Sequence, residues 1–333
     1  MIRSLFLAAG LLTVCASAQA NEKPVLNIYT YDSFVSDWGP GPAIEKAFEA
    51  ICDCDLKFTA AGDGAALLSR LKLEGTRTKA DIVLGFDSAL LEEARETGLF
   101  AAHGATLENS NLPIEWGDKD FLPYDWGYFA FVYDNTKLKR VPTSFRELAA
   151  APDDLKIVIQ DPRSSTPGLG LLLWIKAAYG DEAPAIWEAL APHIVTVTKG
   201  WSEAYGMFLE GEADLVLSYT TSPAYHILAE DDATKSAATF TEGHYMQIEV
   251  AGKIAASKQQ ALADQFLAFM ISAGFQDIIP TTNWMYPAVK PSEALPAAFD
   301  PSIGEAPALL LPAAEVSAIK SKALEEWLTA LSK

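Results

Sequence analysis

The strongest constraint on the fold is a regular alternation of short apolar runs with segments of helical periodicity. Residues 25–31 and 56–59 have the β-rich composition of strands, and residues 81–85 form a continuous apolar run typical of a strand buried on both faces. Helices are predicted between these strands, and one of them begins after Asp63 and ends at Gly75. This β-α-β-α-β-α order predicts a mainly parallel sheet with right-handed crossovers and flanking helices.

A second α/β unit follows in the middle of the chain. Its buried strands are predicted at residues 156–160, 194–198 and 214–219, each followed by a helix. Two long β-forming segments, residues 127–133 and 244–255, stand at its ends. We therefore predict an α/β fold of two lobes, each a mainly parallel sheet flanked by helices, joined by two hinge strands.

The predicted division of the chain follows from where those two hinge strands cross between the lobes. We place the crossings near residues 127–133 and 246–251. The predicted parts are a signal peptide at 1–20, a first lobe of 21–127 with 247–300, a second lobe of 128–246, and a C-terminal helix at 301–333 that packs on the lobes.

The N-terminal segment has the features of a secretory signal. Arg3 supplies a positive start, residues 5–16 are apolar, and residues 18–20 have the small-x-small form that a signal peptidase cuts. The apolar run is too short for a stable membrane anchor. We predict export and cleavage after Ala20. Lipid attachment at Cys15 is the less favoured alternative, because a valine precedes it where a small residue is expected.

The charge of the chain excludes one large class of partners. The net charge is −19, whereas nucleic-acid binding depends on cations that neutralise phosphates. An acidic surface instead favours encounters with cationic ligands. The hydrophobic content of 50% indicates well-formed cores rather than a disordered chain.

Two cysteines remain after removal of the predicted signal, and they are separated by one residue. In an oxidising compartment Cys52 and Cys54 either form a local disulfide or remain two free thiols. A C-x-C pair without further cysteines or a histidine cluster is a poor zinc site. We interpret the pair as structural.

Catalytic motifs are missing from the sequence. We find no G-x-S-x-G elbow, no H-E-x-x-H, no P-loop and no G-x-G-x-x-G after a strand. The four histidines are scattered without the spacing of metal ligands. We therefore expect a binding protein rather than an enzyme, with no cofactor and no bound metal.

Aromatic residues recur where predicted strands end and helices begin. In open α/β sheets the ligand cleft lies at the carboxyl ends of the strands, so these are the positions of a site. For any single ring, core packing is the better interpretation, but so many at element ends predict a flat or cationic ligand held by stacking and cation–π contacts. The candidate aromatic residues are Tyr31, Trp38, Trp201, Tyr219, Tyr225 and Trp284.

Two polar turns add to this picture. Asp63, beside Gly64, stands between a strand and a helix, where its carboxylate is either a helix cap or a partner for a positively charged ligand. Ser165 and Thr166 begin the helix after the strand at 156–160, a turn whose free N–H groups and hydroxyls suit an anion or, again, a cap. Together these features predict a ligand with a flat ring system, positive charge and an optional anionic tail.

Long segments of the chain resemble the thiamine-binding periplasmic proteins of bacterial ABC importers. They cover most of residues 24–290, whereas the last forty residues carry little of the resemblance. The matching segments are YTYDSFVSDWGPGP (29–42), TKADIVLG (78–85), GYFAFVYD (127–134), QDPRSSTPGLGLLLW (160–174), VTVTKGWSEAYG (195–206), DLVLSYTTSPAYHIL (214–228) and NWMYP (283–287).

The resemblance implies a type II periplasmic-binding fold whose lobes close on thiamine, thiamine monophosphate or thiamine diphosphate. Such a protein, expected to be a periplasmic monomer, delivers its ligand to a membrane permease driven by an ATPase.

The resemblance also implies roles for individual residues. Trp38, Tyr225 and Trp284 would contact or stack on the ligand rings, and Asp63 would meet ring nitrogen or positive charge. The hydroxyethyl or phosphate end would lie against Ser165, Thr166, Trp201 and Tyr219. Tyr31 and Gly64 complete the predicted ligand-binding set.

Three other functions remain open at this point. A thiaminase-like transferase on the same fold needs a nucleophilic cysteine in the cleft, whereas Cys52 and Cys54 lie away from it. A ferric-ion binder would use paired tyrosines such as Tyr219 and Tyr225. A polyamine binder would share the aromatic and acidic residues but would have no use for the anion turn at Ser165.

Overall fold

The computed structural model describes residues 23–299 and 306–332, so the predicted signal peptide and its cleavage after Ala20 lie outside the described residues. The strands are β1 (Val25–Thr30), β2 (Asp55–Ala60), β3 (Ile82–Asp87), β4 (Phe100–Ala101), β5 (Phe121–Asp134), β6 (Ile157–Gln160), β7 (Ile194–Thr198), β8 (Leu215–Tyr219), β9 (Lys235–Ala237), β10 (His244–Ile254), β11 (Tyr286–Pro287) and β12 (Ala308–Leu309). The helices are α1 (Gly41–Cys52), α2 (Gly64–Glu74), α3 (Leu91–Glu96), α4 (Phe145–Ala149), α5 (Thr166–Tyr179), α6 (Ala183–Leu190), α7 (Trp201–Leu209), α8 (Ser222–Ala229), α9 (Gln260–Met270), α10 (Ala273–Gln276), α11 (Ile279–Thr282) and α12 (Ala313–Leu331).

The strands form a mixed sheet whose main order is β2-β1-β3-β10-β5-β8-β6-β7. At one end β1 pairs in parallel with β2 and β3, and at the other β6 pairs in parallel with β7 and β8. In the centre β10 is antiparallel to β3 and β5, and β5 is antiparallel to β8. The α/β fold class with a parallel unit at each end is thus confirmed.

Two long strands, β5 and β10, connect the parallel units. The first part of β5 pairs with β10 as far as Tyr128, and its second part, from Phe129, pairs with β8. The strand β5 begins at Phe121, earlier than its predicted start at residue 127, because Pro123 within it obscures the strand signal. These are the predicted hinge strands, whereas the residue bounds given for the lobes stay a prediction.

The C-terminal helix α12 packs against both parallel units. It contacts α5 and α6 on one side of the molecule and α3 on the other. Its buried positions repeat every three to seven residues, so they form one apolar stripe along the helix. The fully buried residues of this stripe are Val316, Ala323, Trp327 and Ala330.

The two cysteines form a disulfide. Cys52 ends α1, and Cys54 immediately precedes β2. Asp53 between them has a left-handed backbone, with φ of 48°. Of the two states that the sequence leaves open, the structure therefore has the disulfide, which closes the turn between α1 and β2.

Close helix–strand packing at Gly170 gives a stability prediction. A Cβ at Gly170 in α5 would lie 2.0 Å from Cε2 of Phe129, whereas a Cβ at Gly206 in α7 would meet no atom within 4 Å. Both glycines lie inside helices, where alanine is intrinsically favoured by about 0.5–1 kcal/mol. Gly170→Ala should therefore lower the free energy of unfolding by about 1–3 kcal/mol through overpacking, while Gly206→Ala should leave it equal or higher. Urea denaturation of the two variants measures this, and equal effects would contradict it.

Candidate functional site

A cleft of about 520 Å³ lies between the two parallel units. Its floor is formed by the hinge strand β10, and its walls come from the ends of β1 and β8, from α7 and α8, and from the segment after α11. This is the carboxyl edge of the parallel strands, where a ligand site is expected. The predicted site residues that line the cleft are Tyr31, Trp38, Trp201, Tyr219, Tyr225 and Trp284.

Aromatic pairs form two walls of the cleft. Trp38 and Trp201 have ring centroids 6.1 Å apart, and Trp201 stacks on Tyr205 at 4.9 Å. Opposite them, Tyr225 and Trp284 meet edge to face at 5.2 Å. Trp38 keeps 54% of its surface exposed, which is unusual for so large an apolar side chain. The walls therefore present open ring faces, suited to stacking on a flat ligand.

Trp284 is held in a strained backbone conformation. Its φ is 56°, a left-handed value that is uncommon for a bulky residue. Its ring stacks on Phe299 with an interplanar angle of 5° and a centroid distance of 6.1 Å. Strain of this kind costs on the order of 1–3 kcal/mol and concentrates at functional sites. Here it directs the indole toward the cleft.

The tyrosine hydroxyls of the cleft are fixed by partners. Tyr219 donates to Oε1 of Gln247 at 2.8 Å, and Tyr225 donates to Oε1 of Glu230 at 2.6 Å. The hydrogen bond to Glu230, together with burial, raises the pKa of Tyr225 to about 12. The Tyr205 hydroxyl hydrogen-bonds Nε2 of His226 at 2.9 Å. The phenols are thus neutral and oriented at physiological pH.

A buried acidic residue lies on the floor of the cleft. Oε2 of Glu249 accepts hydrogen bonds from the hydroxyls of Tyr31, at 2.9 Å, and Tyr124, at 2.8 Å. Burial raises the pKa of Glu249, and burial beside this carboxylate raises that of Tyr31 well above its usual value. Asn283 lies beside them and donates to Asp125 at 2.6 Å.

Gln247, Glu249 and Asn283 line the cleft but are not among the site residues predicted from the sequence. The available signal for the floor is a single glutamate inside the long strand predicted at 244–255. A carboxylate at such a position is buried unless the strand is at an edge, and a buried carboxylate requires partners.

Asp63 joins the two units in a direct contact beside the cleft. Its Oδ2 accepts from the Ser165 hydroxyl at 2.6 Å and from the backbone N–H of Trp201 at 3.2 Å. A backbone bond from Ala66 N to Ser164 O, of 3.1 Å, reinforces the contact. Asp63 stands at the N-cap position of α2, yet its side chain makes no capping bond, so the helix-cap alternative is wrong.

Four predicted site residues, namely Asp63, Gly64, Ser165 and Thr166, belong to this contact and not to the lining of the cleft. A Cβ at Gly64 would lie 2.6 Å from Oγ1 of Thr166, so glycine permits the close approach. Ser165 is buried and makes no side-chain capping bond, and α5 begins one residue before Pro167. The turn is therefore covered by the Asp63 carboxylate rather than open to solvent as expected. Ligand contacts for these residues stay a prediction.

Comparison with known proteins places the chain in a family. The family model described as bacterial extracellular solute-binding protein matches residues 77–304. The chain belongs to this family. Among curated bacterial solute-binding proteins it is 54% identical to the thiamine-binding periplasmic protein of Escherichia coli (strain K12), over 97% of this chain and 98% of that protein. It is 52% identical to the thiamine-binding periplasmic protein of Brucella melitensis biotype 1, over 99% and 97%.

A solved member of these solute-binding proteins has the same architecture. The structure named periplasmic thiamin binding protein superposes with a TM-score of 0.90 at 55% sequence identity, covering 93% of this chain and 97% of that one. The predicted type II periplasmic-binding fold and the resemblance to thiamine-binding periplasmic proteins are both confirmed.

The contact at Asp63 makes the stability of this solute-binding protein depend on pH. Burial raises the pKa of Asp63 to about 6, so the folded chain retains a proton that the unfolded chain has lost. Stability from this group is therefore greatest at acidic pH and falls as the pH rises from about 4 to about 6.

Asp63→Asn removes this titration and keeps an acceptor oxygen. Relative to the variant, the ligand-free wild type should lose on the order of 2 kcal/mol of unfolding free energy between pH 4 and pH 7. Urea denaturation of both proteins across that range measures the difference. A difference that stays constant with pH would show that Asp63 titrates as an exposed carboxyl.

Proposed function

We propose that the protein captures thiamine and its phosphate esters in the periplasm and delivers them to the permease of an ABC importer, without chemical conversion. The observation that carries this proposal is an aromatic cleft with a buried acidic floor between two α/β units. The high identity to thiamine-binding periplasmic proteins over nearly the whole chain supports the choice of ligand.

The cleft matches the chemistry of thiamine. Thiamine has two linked heteroaromatic rings, of which the thiazolium carries a permanent positive charge. The walls at Trp38 and Trp284 offer ring faces for stacking and cation–π contact. Glu249 on the floor supplies negative charge beneath them. Asp63 and Ser165 meet beside Trp201 at one end of the cleft. There we assign Asp63 to a ring nitrogen or positive charge of the ligand, and Ser165 to its hydroxyethyl or phosphate group.

Binding would favour the closed arrangement of the two units. The walls combine residues of both units, such as Trp38 before α1 and Trp201 in α7, so a ligand gains all of these contacts only when the cleft is closed. We propose that the permease recognises this closed form, that the protein acts as a monomer, and that it reaches the periplasm through cleavage after Ala20.

The enzyme alternative lacks its nucleophile within the described residues. Cys52 and Cys54 are joined in a disulfide between α1 and β2, and neither lines the cleft. A thiaminase-like transferase would need a free thiol against the ligand. We therefore propose binding without catalysis.

Neither Tyr219 nor Tyr225 is prepared to bind ferric ion. Their hydroxyls donate to Gln247 and Glu230, and burial raises the pKa of Tyr219 well above its usual value. The hydrogen bond to Glu230 likewise raises the pKa of Tyr225 to about 12. Ferric ion binds the deprotonated phenolate, so both raised pKa values oppose metal binding. A polyamine shares the charge of thiamine but offers no flat ring for the tryptophan faces.

Tryptophan fluorescence tests the proposed ligand. We expect saturable quenching of ligand-free, refolded protein by thiamine and thiamine diphosphate, and none by spermidine or ferric citrate. Trp284→Ala removes one wall and should weaken thiamine binding at least about 30-fold, as for a central aromatic contact. Trp116→Ala is the matched control, because Trp116 lies outside the cleft and bonds the backbone of Phe121.

The rival ligands give distinct results in the same titration. Quenching by spermidine alone would favour a polyamine binder, and a visible tyrosinate–iron band with ferric citrate would favour an iron binder. Equal losses in the Trp284 and Trp116 variants would exclude the assigned wall. Breakdown of thiamine during the titration would revive the transferase alternative.

A further inference from the structure

Two carboxyl groups face each other across the hinge strands. Asp125 on β5 and Glu249 on β10 are directly opposed in the antiparallel register, and both side chains are buried. Directly opposed residues have Cβ atoms about 4.5–5.5 Å apart, and like charges at that spacing repel. Two carboxylates buried this close do not both stay ionised.

The hydrogen bonds indicate which of the two holds a proton. Oε2 of Glu249 accepts from the hydroxyls of Tyr31 and Tyr124, an arrangement that favours its ionised form. Asp125 accepts from Asn283 through Oδ2, while its Oδ1 is buried without a donor. Burial and the neighbouring Glu249 hold the pKa of Asp125 well above its usual value. A proton on Oδ1 of Asp125, donated to Glu249, satisfies both groups.

A break in the strand brings Glu249 to the cleft. The register between β10 and β5 shifts between Glu249 and Val250, and bulges of this kind redirect side chains at sites. Glu249 lines the cleft together with Gln247 and Asn283, whereas Asp125 lies behind it. The ionised member of the pair is therefore the one that meets the ligand.

Other acids and phenols surround the pair. They come from each neighbouring element, and they add negative charge or stay neutral. On β3, Asp87 is the register partner of Glu249 on the side opposite Asp125, and burial beside Glu249 raises its pKa to about 7. The remaining titratable groups that act on the pair are Asp63 before α2, Tyr31 after β1, Tyr124 on β5 and Tyr219 on β8.

We propose that Asp125 and Glu249 share one proton in the ligand-free cleft, that a bound cation displaces this proton, and that Glu249 thereby selects for a positively charged ligand. The O–H bond of Asp125 breaks, its electron pair stays on the carboxylate, and the proton passes to bulk water and buffer. The pair gains one negative charge as the ligand brings one positive charge. This inference rests on the proposed function, because the thiazolium of thiamine is the cation.

Calorimetry measures the displaced proton. Thiamine titrations at pH 7 in buffers of different ionisation enthalpy should show release of between about 0.5 and 1 proton per ligand bound. The neutral analogue 3-deazathiamine, which has the same shape without the ring charge, should release none. A thiamine enthalpy that does not depend on the buffer would overturn the proposal.

Glu249→Gln tests charge selection and keeps an acceptor for the tyrosine hydroxyls. It should weaken thiamine binding at least about ten-fold, while 3-deazathiamine binding changes less than about two-fold. The matched control is Asp81→Asn, a buried carboxyl at the start of β3 that bonds Asn27 and Ser257 away from the cleft. Equal weakening for both ligands would mean that Glu249 acts only through the structure.

Infrared spectroscopy separates failure of this inference from failure of the proposed function. In an Asp87→Asn background, which removes the neighbouring carboxyl with a pKa of about 7, the ligand-free protein at pH 7 should have a protonated-carboxyl band. This band should disappear in Asp125→Asn and change frequency in Glu249→Gln, where the acceptor of the proton becomes an amide. Absence of the band in the Asp87→Asn background would overturn the shared proton whatever the ligand. A band that persists unchanged when Asp125→Asn is added to this background, and so belongs to another carboxyl, would also overturn it. A band that responds as expected, in a protein whose wild type does not bind thiamine, would retain the pair and refute the proposed ligand.

Discussion

The pairing of β5 with β10 is the interaction on which the rest of the structure depends. These strands alone, among the described elements of the main sheet, extend from one parallel unit to the other, and they are hydrogen-bonded to each other where they cross, around Gly127 and Gln247. Rotation of one unit against the other bends this pair. Glu249 and Gln247 on the floor of the cleft lie at that axis, whereas Trp38 and Tyr225 on the walls lie away from it. In the closure proposed above, the floor would therefore move less than the walls.

Two further contacts connect the units. Beside the cleft, Asp63 reaches Ser165 and the start of α7. In addition, α12 packs on both units, with Trp327 buried and Lys320 paired with Glu93 on α3. Partly exposed ion pairs add little, so the apolar stripe of α12 supplies most of that attachment. The contact at Asp63 depends instead on hydrogen bonds to one buried carboxyl group.

Sequence patterns predicted the fold well and the site in part, for physical reasons. Strand periodicity and the glycines that end helices, such as Gly75 after α2, depend only on residues nearby in the sequence, so they can be recognised from the sequence alone. The aromatic walls were also found, because Trp201 and Tyr219 stand at element ends. The floor was not found, since pairing Glu249 with Asp125 requires the register of strands more than a hundred residues apart. The position of Asp63 across the contact likewise depends on how the two units meet.

The buried acidic residues at the hinge lower the free energy of unfolding, and a bound cation would offset this loss. Asp87, Glu249 and Asp125 lie in register on three adjacent strands, and burial raises the pKa of each. Because their folded pKa values exceed those of the unfolded chain, stability declines as the pH rises from about 4 toward neutrality. The tyrosine hydroxyls and Asn283 reduce this loss without cancelling the charge. A cation above Glu249 supplies the positive charge that these neutral donors lack. The acidic groups therefore favour cation binding while they lower the stability of the ligand-free protein.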